Sequence, residues 1–422
     1  MKMNNDTNKK VYGLLGRTLG HSYSEMIHKE LGNPDYRLIE LEPEELPGFF
    51  AGNEIGGLNV TIPYKRSVME YCDTLSERAK AISSVNTIIS TPSGLHGDNT
   101  DAYGLEYMAK RAGIDFLGKK VVIFGSGGAS LTAKYVAKES GATSIVVVSR
   151  SGEDNYDNLS RHSDAQLLIN ATPVGMFPKS GESVVQVSQF PECEGVLDLV
   201  YNPRRTALLM MAQERGIPNS NGLPMLVAQA KAAEELFFGN KIPDSENERI
   251  LGLIRAETEN IILIGMPGSG KTTVGAALSE LTGREVIDID QKIEEAAHMP
   301  ITRIFDLFGE AEFRRMEREQ TAHYCALNGK IITTGGGVVL DERNYPSLRQ
   351  NGRVYHLIRD TKLLPSEGRP LSLSSNLEAM AAERLPLYVR FRDVAEANIG
   401  TPEETAKEIW RDFCENTRDE RA

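Results

Sequence analysis

Two short apolar runs, each ending in a glycine-rich turn that opens a helical pattern, constrain this chain more than any other feature. Ile261-Ile262-Leu263-Ile264 leads into Gly265-Met266-Pro267-Gly268-Ser269-Gly270-Lys271-Thr272, and Val121-Val122-Ile123-Phe124 leads into Gly125-Ser126-Gly127-Gly128-Ala129. A strand that passes through such a turn into a helix offers backbone N–H groups and a positive helix end to an anion. Ser144–Val148 and Lys330–Thr333 are further apolar, β-branched runs. Their alternation with helical patterns predicts α/β architecture with parallel sheets. The 422 residues correspond to about two to four domains. Residues 243–259 are charge-rich around a short apolar centre and read as a partly helical linker. The two turns differ in glycine spacing, so the halves are not repeats.

A formal net charge of -12 argues against a general nucleic-acid binder, which needs a basic footprint. Small anionic substrates stay compatible with it, because a few clustered Arg and Lys suffice locally. The four cysteines, Cys72, Cys193, Cys325 and Cys414, show no CxxC spacing, which favours a reducing compartment, the cytoplasm, over a disulfide or metal framework. The seven histidines show no ligand spacing either. Met1–Lys10 is polar and lacks the apolar core of a secretory leader. No apolar run approaches the ~20 residues that span a bilayer. Nothing in the sequence sets an oligomeric state.

Gly265–Thr272 matches G-x-x-x-x-G-K-[ST] in full. The pattern predicts an NTP site: Gly268, Ser269 and Gly270 wrap phosphate oxygens with backbone N–H groups, Lys271 reaches the β- and γ-phosphates, and the Thr272 hydroxyl serves Mg²⁺, with Thr273 alongside. Downstream, Asp288-Ile289-Asp290 follows a short apolar run. Strand alternation predicts both carboxylates on one side of a strand end, one near Mg²⁺ and one near an acceptor hydroxyl. Glu312-Phe313-Arg314-Arg315 supplies guanidinium forks for a carboxylate, although such a pair is ordinarily a solvated helix face. Gly335-Gly336-Gly337 after a strand allows close backbone approach to a small ligand.

In the other half, Gly125–Ala129 is a variant dinucleotide fingerprint, with Ser130 at the third glycine position. Ser149-Arg150-Ser151 follows the next strand. A NAD site carries an acid there, whereas Arg150 suits the 2′-phosphate of NADP; Glu153 and Asp154 read as solvated loop residues. Asn59–Lys65 is a strand-to-turn segment and Gly97–Asp101 a polar turn. A Lys and an Asp that converge on a carbonyl suit ketone reduction, with the cation delivering a proton to oxygen. Spacing alone does not bring Lys65 and Asp101 together.

Residues 259 to about 415 resemble shikimate kinase. The ordered matches are the phosphate loop, Asp288–Asp290, Glu312–Glu317, Gly335–Gly337, Arg369-Pro370-Leu371 and Arg384–Tyr388. The resemblance implies that Asp290, Arg314, Arg384 and Gly335, Gly336 and Gly337 hold shikimate. It places Asp290 at the reacting hydroxyl, Asp288 near Mg²⁺ and Arg369 on a lid over the transferring phosphoryl group. Residues 356–367 look short beside the family's lid and lack the arginine expected near adenine.

Residues 11–240 resemble shikimate dehydrogenase. The matches are Gly20–Ser24, Asn59–Lys65, Ser84–Thr87, Asn99–Asp101, Asn170–Met176, Tyr201–Pro203 and Met225–Ala230. The resemblance implies that Ser22, Ser24, Thr61, Lys65, Asn86, Asp101, Tyr201 and Gln229 contact substrate, with Lys65 and Asp101 as the catalytic pair. Gly125, Ser126, Gly127, Gly128, Ala129, Ser149, Arg150, Ser151, Thr172, Met176 and Gly222 would contact NADP. Glu25 stands where the family has Pro, and Ser149-Arg150-Ser151 where it has Asn-Arg-Thr.

Taken together, the two resemblances imply a two-lobed dehydrogenase (11–101 for substrate, 102–242 for NADP in a Rossmann lobe), a linker (243–258) and a P-loop kinase with a parallel sheet (259–422). Their substrates would be small molecules, 3-dehydroshikimate and shikimate, and their cofactors NADP, ATP and Mg²⁺. A dehydrogenase with a weak or regulatory ATP-binding C-terminal domain is the alternative, and quinate stays open as a further substrate. A tethered pair of steps raises channelling, although co-expression explains a fusion equally well.

Overall fold

The computed structural model describes residues 10–20, 22–360 and 377–418. Its contacts divide the chain into two compact units. The first comprises Met1–Pro173, Val184–Tyr201 and Met211–Leu251, the second Val174–Ser183, Asn202–Met210 and Gly252–Ala422.

The first unit begins with β1 (Val11–Gly16), α1 (Ser24–Glu30), β2 (Arg37–Glu40), α2 (Leu46–Gly52), β3 (Ile55–Val60), β4 (Thr74–Leu75), α3 (Glu77–Ile82), β5 (Thr87–Thr91) and β6 (Gly94–Asp98). The sheet order is β2-β1-β3-β5-β6-β4. This sheet is mixed, which departs from the parallel expectation: β5 runs antiparallel to both β3 and β6. The cause is local. Pro92-Ser93 closes a tight turn in which Thr91 Oγ1 donates to the Gly94 carbonyl at 2.8 Å, and such a hairpin needs no crossover helix.

From α4 (Asp101–Arg111) the chain enters a second sheet. Its elements are β7 (Lys120–Phe124), α5 (Gly128–Glu139), β8 (Ser144–Val148), β9 (Leu167–Asn170), β10 (Gly195–Asp198), α6 (Ala207–Glu214) and β11 (Asn219–Ser220). The order is β11-β10-β9-β7-β8, with every pairing parallel. Helix α7 (Leu223–Phe238) then returns to the first sheet, packing on α1, β3 and β5 as well as on α4. The segment read as a linker is largely one helix, α8 (Ser245–Thr258). Its start is bonded into the first unit: Asp244 accepts from Lys231 Nζ at 2.7 Å, and Glu248 from Arg111 Nε at 2.8 Å and Tyr107 Oη at 2.6 Å.

The second unit continues with β12 (Asn260–Ile264), α9 (Lys271–Thr282), β13 (Val286–Asp288), α10 (Ile289–Ala297), α11 (Ile301–Cys325), β14 (Ile331–Thr333), α12 (Asn344–Gln350), β15 (Gly352–Ile358), α13 (Leu377–Phe391), β16 (Val394–Ala397) and α14 (Pro402–Arg418). The sheet is parallel throughout, in the order β13-β14-β12-β15-β16. Helices cover both faces, which explains the unbroken apolar run of β12. Ile262 and Ile264 pack with Ile287, Ile293 and Phe313 on one face. Ile261 and Leu263 pack with Val274, Leu278, Ile409 and Phe413 on the other.

Helices α4 and α7 meet closely because position 104 is glycine. A Cβ there would lie 2.5 Å from the Met225 carbonyl oxygen and 3.1 Å from Gln229 Cβ. A backbone carbonyl has no rotamer by which to retreat. Gly104→Ala should therefore destabilise the first unit by about 1–2 kcal/mol, since overpacking against backbone, at roughly 2–3 kcal/mol in the upper part of the usual range, outweighs the ~1 kcal/mol gained in helix propensity. Urea unfolding followed by circular dichroism checks this; an unchanged or raised midpoint would show that α7 yields freely.

Candidate functional site

Two clefts gather the polar residues singled out above. In the first unit a cleft of about 450 Å³ is lined by Ser22, Ser24, Asn59, Thr61, Lys65, Asn86, Asp101, Tyr201 and Gln229, with Ala129 and Gly222 from the second sheet's side. The eight positions that the sequence assigns to substrate all line it.

Lys65 and Asp101 meet. Lys65 Nζ lies 2.6 Å from Asp101 Oδ2, with both side chains largely buried. Lys65 follows β3 in a turn held when the Val85 N–H donates to the Lys65 carbonyl at 2.8 Å. Asp101 is the first residue of α4, where the positive helix end favours a carboxylate. The expected polar turn is shorter than 97–101: Gly97 and Asp98 still pair within β6, and the helix begins at Asp101.

Around the pair runs an amide and hydroxyl lattice. Asn86 Nδ2 donates to Thr100 Oγ1 at 3.1 Å and to Gln229 Oε1 at 3.3 Å, and the Thr100 N–H donates to Asn86 Oδ1 at 2.7 Å. Thr100 and Asn59 were not singled out as contacts, although both stand inside motifs quoted for their neighbours. Burial pushes the Tyr201 phenol up, so it stays a neutral hydrogen-bonding group.

The proposed dinucleotide cradle is open. Helix α5 starts at Gly128, and Ser126, Gly127 and Gly128 are exposed. A Cβ on Gly127 or Gly128 would meet nothing within 4 Å, which leaves room for a pyrophosphate at the helix N-terminus. Thr172 packs beside Gly125, its Cγ2 2.9 Å from where a Cβ would lie. Arg150 is exposed just past β8, between Ser149 and Ser151. Asp154 corrects the expectation of a solvated residue: it accepts from His162 Nε2 at 2.7 Å, and its carbonyl accepts from the Ser149 N–H at 3.1 Å, closing the loop. Glu153 is exposed as expected. Met176 is 46% exposed and is not a lining residue of the cleft.

In the second unit a cleft of about 580 Å³ joins Gly268, Gly270, Lys271, Thr272 and Thr273 to Asp288, Asp290, Arg314, the three glycines 335–337 and Arg384. Arg359, within the stretch read as a short lid, lines it too. Arg369 lies outside the described residues. Ser269 is fully buried, and its carbonyl accepts from Asn398 Nδ2 at 2.7 Å.

Lys271 opens α9 and is buried, donating to the carbonyls of Gly265 at 2.9 Å and Met266 at 3.1 Å. Asp288 Oδ2 accepts from Thr272 Oγ1 at 3.2 Å and from Thr333 Oγ1 at 2.8 Å. A hydroxyl and a carboxylate side by side at a phosphate loop fit an octahedral Mg²⁺, which takes few protein ligands. The two aspartates converge for a different reason than strand alternation. The strand ends at Asp288, whose Oδ1 accepts from the Gln291 N–H as an N-cap, and Asp290 stands in the first turn of α10.

Burial, with Asp288 nearby, pushes the Asp290 carboxyl up to about 6. Glu317 is fully buried, its carboxyl raised by burial and partly restrained by Arg314, which donates to Glu317 Oε2 at 2.7 Å. Asp290 Oδ1 and Glu317 Oε1 are buried without hydrogen bonds, and both approach Gly335. Orphaned acceptors of this kind suit a ligand rich in hydroxyls. Arg384 Nη1 and Tyr388 Oη donate to the Gly336 carbonyl at 3.1 and 2.6 Å. Glu317 stood within a quoted motif; Thr333, at an ordinary strand end, carried no signal.

Fold and sites together define an α/β chain that unites a two-lobed dinucleotide-type cleft with a phosphate-loop cleft. Residues 14–88 match the model of the shikimate dehydrogenase substrate binding domain, and residues 267–414 match that of shikimate kinase. The chain is 36% identical over 262 residues to the NADP(+) shikimate dehydrogenase of Clostridium perfringens (strain SM101 / Type A), covering 57% of this chain and 97% of that one. It is similar to a solved chorismate mutase/shikimate 5-dehydrogenase fusion protein from Clostridium acetobutylicum, with a TM-score of 0.55 and 36% identity over 58% of this chain and 97% of that one. Shikimate 5-dehydrogenase from Thermus thermophilus, solved with NADP(H) and shikimate, gives a TM-score of 0.52 at 29% identity, covering 57% and 98%. The chain belongs to the shikimate dehydrogenase family and carries a shikimate kinase domain in its C-terminal part.

The two loops of the second cleft leave no slack. A Cβ on Gly336 would lie 2.5 Å from Pro267 Cδ and 2.8 Å from Pro267 N. Gly336→Ala should destabilise the second unit by about 1–3 kcal/mol, read as a lowered urea midpoint by circular dichroism. An unaltered midpoint would mean that the glycine loop moves aside without cost.

Proposed function

We propose that this chain catalyses two consecutive steps: NADPH-dependent reduction of 3-dehydroshikimate to shikimate, then Mg²⁺-ATP-dependent phosphorylation of shikimate to shikimate 3-phosphate. Both lie on the route to chorismate and the aromatic amino acids. The observation that carries the reading is the 2.6 Å pair of Lys65 and Asp101, in a cleft of hydroxyls and amides, on the same chain as a complete phosphate loop facing Asp290, Arg314 and Arg384. We assign residues 11–101 and 102–242 to the two dehydrogenase lobes and 259–422 to the kinase. The four free cysteines suit a cytoplasmic enzyme. Among the described residues no helix is long and apolar enough to cross a membrane.

In the first cleft Ser22, Ser24, Thr61, Asn86 and Gln229 hold the hydroxyls and carboxylate of the substrate, and Tyr201 closes the pocket. Asp101 holds the Lys65 ammonium at the reacting end, where it delivers a proton to the carbonyl oxygen. Gly127, Gly128 and Ala129 would receive the pyrophosphate, with Arg150 at the 2′-phosphate. NADPH supplies the hydride.

In the second cleft Arg314 and Arg384 clamp the substrate carboxylate, with Gly335, Gly336 and Gly337 against the ring. Asp290 accepts the proton of the attacking hydroxyl. Lys271 and the loop amides would hold the β- and γ-phosphates, and Thr272 and Asp288 would hold Mg²⁺. Mg²⁺-ATP supplies the phosphoryl group and the cation that spreads its charge.

Three substitutions test the assignments separately. Lys65→Ala should lower NADP-linked shikimate oxidation by about 10²–10⁴-fold, the usual loss for a general acid or base, while shikimate-dependent ADP release persists. Asp290→Ala should abolish that release and spare oxidation. Arg150→Ala should raise the KM for NADP by about tenfold to a hundredfold, as expected for loss of a charged hydrogen bond, and leave the KM for shikimate unmoved. A wild-type chain that oxidises shikimate yet releases no ADP would favour a regulatory ATP-binding role for the second unit.

A further inference from the structure

Behind the first cleft lies a buried polar cluster that the reaction steps above do not use. His28 on α1 and Glu234 on α7 are 0% and 1% exposed, and His28 Nδ1 is bonded to Glu234 Oε1. Asn33 Nδ2 donates to the same carboxylate oxygen at 2.9 Å. The His28 ring lies flat on Tyr36, with centroids 3.7 Å apart and planes at 6°. Tyr36 Oη donates to Asn59 Oδ1 at 2.8 Å. The other imidazole nitrogen, Nε2, makes no hydrogen bond of good geometry, and the Asn59 side chain is its polar neighbour. Burial lowers the proton affinity of His28 against the pull of Glu234. A ring that donates from Nδ1 satisfies the Glu234 carboxylate.

The three elements that meet here are those that supply the cleft. Ser24, one turn before His28, opens α1. Gln229, five residues before Glu234, lies on α7. Asn59 is itself a lining residue on β3, two residues before Thr61. Apolar side chains of similar volume would bury the same helices at lower electrostatic cost. What hydrogen bonds add is direction: they set the rotation and axial position of one helix on another, where apolar packing tolerates slip.

We propose that His28 and Glu234 are positioning residues for the dehydrogenase cleft, fixing α1 against α7 and β3 so that Ser22, Ser24, Asn59 and Gln229 stand at the spacing that binds the substrate. The inference rests on the reading of that cleft as the shikimate site.

The test is steady-state NADP-linked shikimate oxidation by the full chain, with shikimate-dependent ADP release measured on the same preparation. His28→Phe keeps the ring stacked on Tyr36 and removes the donor to Glu234. It should raise the KM for shikimate by about tenfold while the KM for NADP stays within about twofold and ADP release is unchanged. A role confined to folding would instead lower the active fraction, reducing kcat with the shikimate KM unmoved, and that result would overturn the proposal. Should His28→Phe fail to fold, Glu234→Gln decides, because it preserves size and an acceptor for His28. A rise in shikimate KM of about threefold or more supports the assignment, and an unchanged KM defeats it. A wild-type chain without shikimate oxidation would overturn the reading of the cleft and this inference with it; wild-type turnover with unmoved KM values in the variants overturns this one alone.

Discussion

The close approach of α4 and α7 governs the geometry of the first unit. Gly104 lets the α7 backbone come within contact of α4, and each helix brings one side of the cleft with it. Helix α4 begins at Asp101, the partner of Lys65; α7 carries Gln229, the partner of Asn86. A side chain at position 104 would separate the charge pair from the amide lattice that lines the same cleft. The same approach lets Lys231 and Tyr103 meet Asp244, so the start of α8 is seated by the helices that build the site.

The second unit solves a different problem, which is to present charge without leaving it in water. Its sheet is covered on both faces, so β12 has no solvated side and its polarity is concentrated where the strands end. There the chain turns sharply into α9 from β12 and into α10 from β13. Two helix starts therefore point at one cleft, one with the phosphate-loop amides and one with Asp288 as its cap. Ligands of open parallel sheets bind at the carboxyl ends of strands for this reason.

Much of this was legible in the sequence, because it was written in local chemistry. The runs 121–124 and 261–264 could hardly be anything but buried strands, and the turns after them dictated the helices that follow. The eight positions assigned to substrate, which all line the first cleft, were picked out through ordered motifs, not through spacing: nothing in a separation of 36 residues places Lys65 beside Asp101. The mixed sheet was missed because parallel rhythm was inferred from the strongly apolar strands, while β5 and β6, of the same length, are half polar. Asp288 and Asp290 were placed on one strand because a cap and a first-turn residue, two apart, mimic the alternation of a strand. His28 and Glu234 left no local trace, being 206 residues apart.

The two sites also differ in how much of their final arrangement exists before a ligand arrives. In the first cleft Lys65 already faces Asp101 and Asn86 already holds Gln229, so these side chains fix one another in place across the cleft. In the second, Lys271 spends its protons on its own loop carbonyls, and Arg314 is engaged by Glu310 and Glu317. Phosphate and carboxylate ligands have to displace those bonds. The opposing term is the unpaired state of Asp290 Oδ1 and Glu317 Oε1. Buried acceptors without donors are costly, and a ligand that brings hydroxyl donors relieves that cost as it binds. A molecule that matched only the phosphate loop would break the Lys271 bonds without relieving the carboxylates.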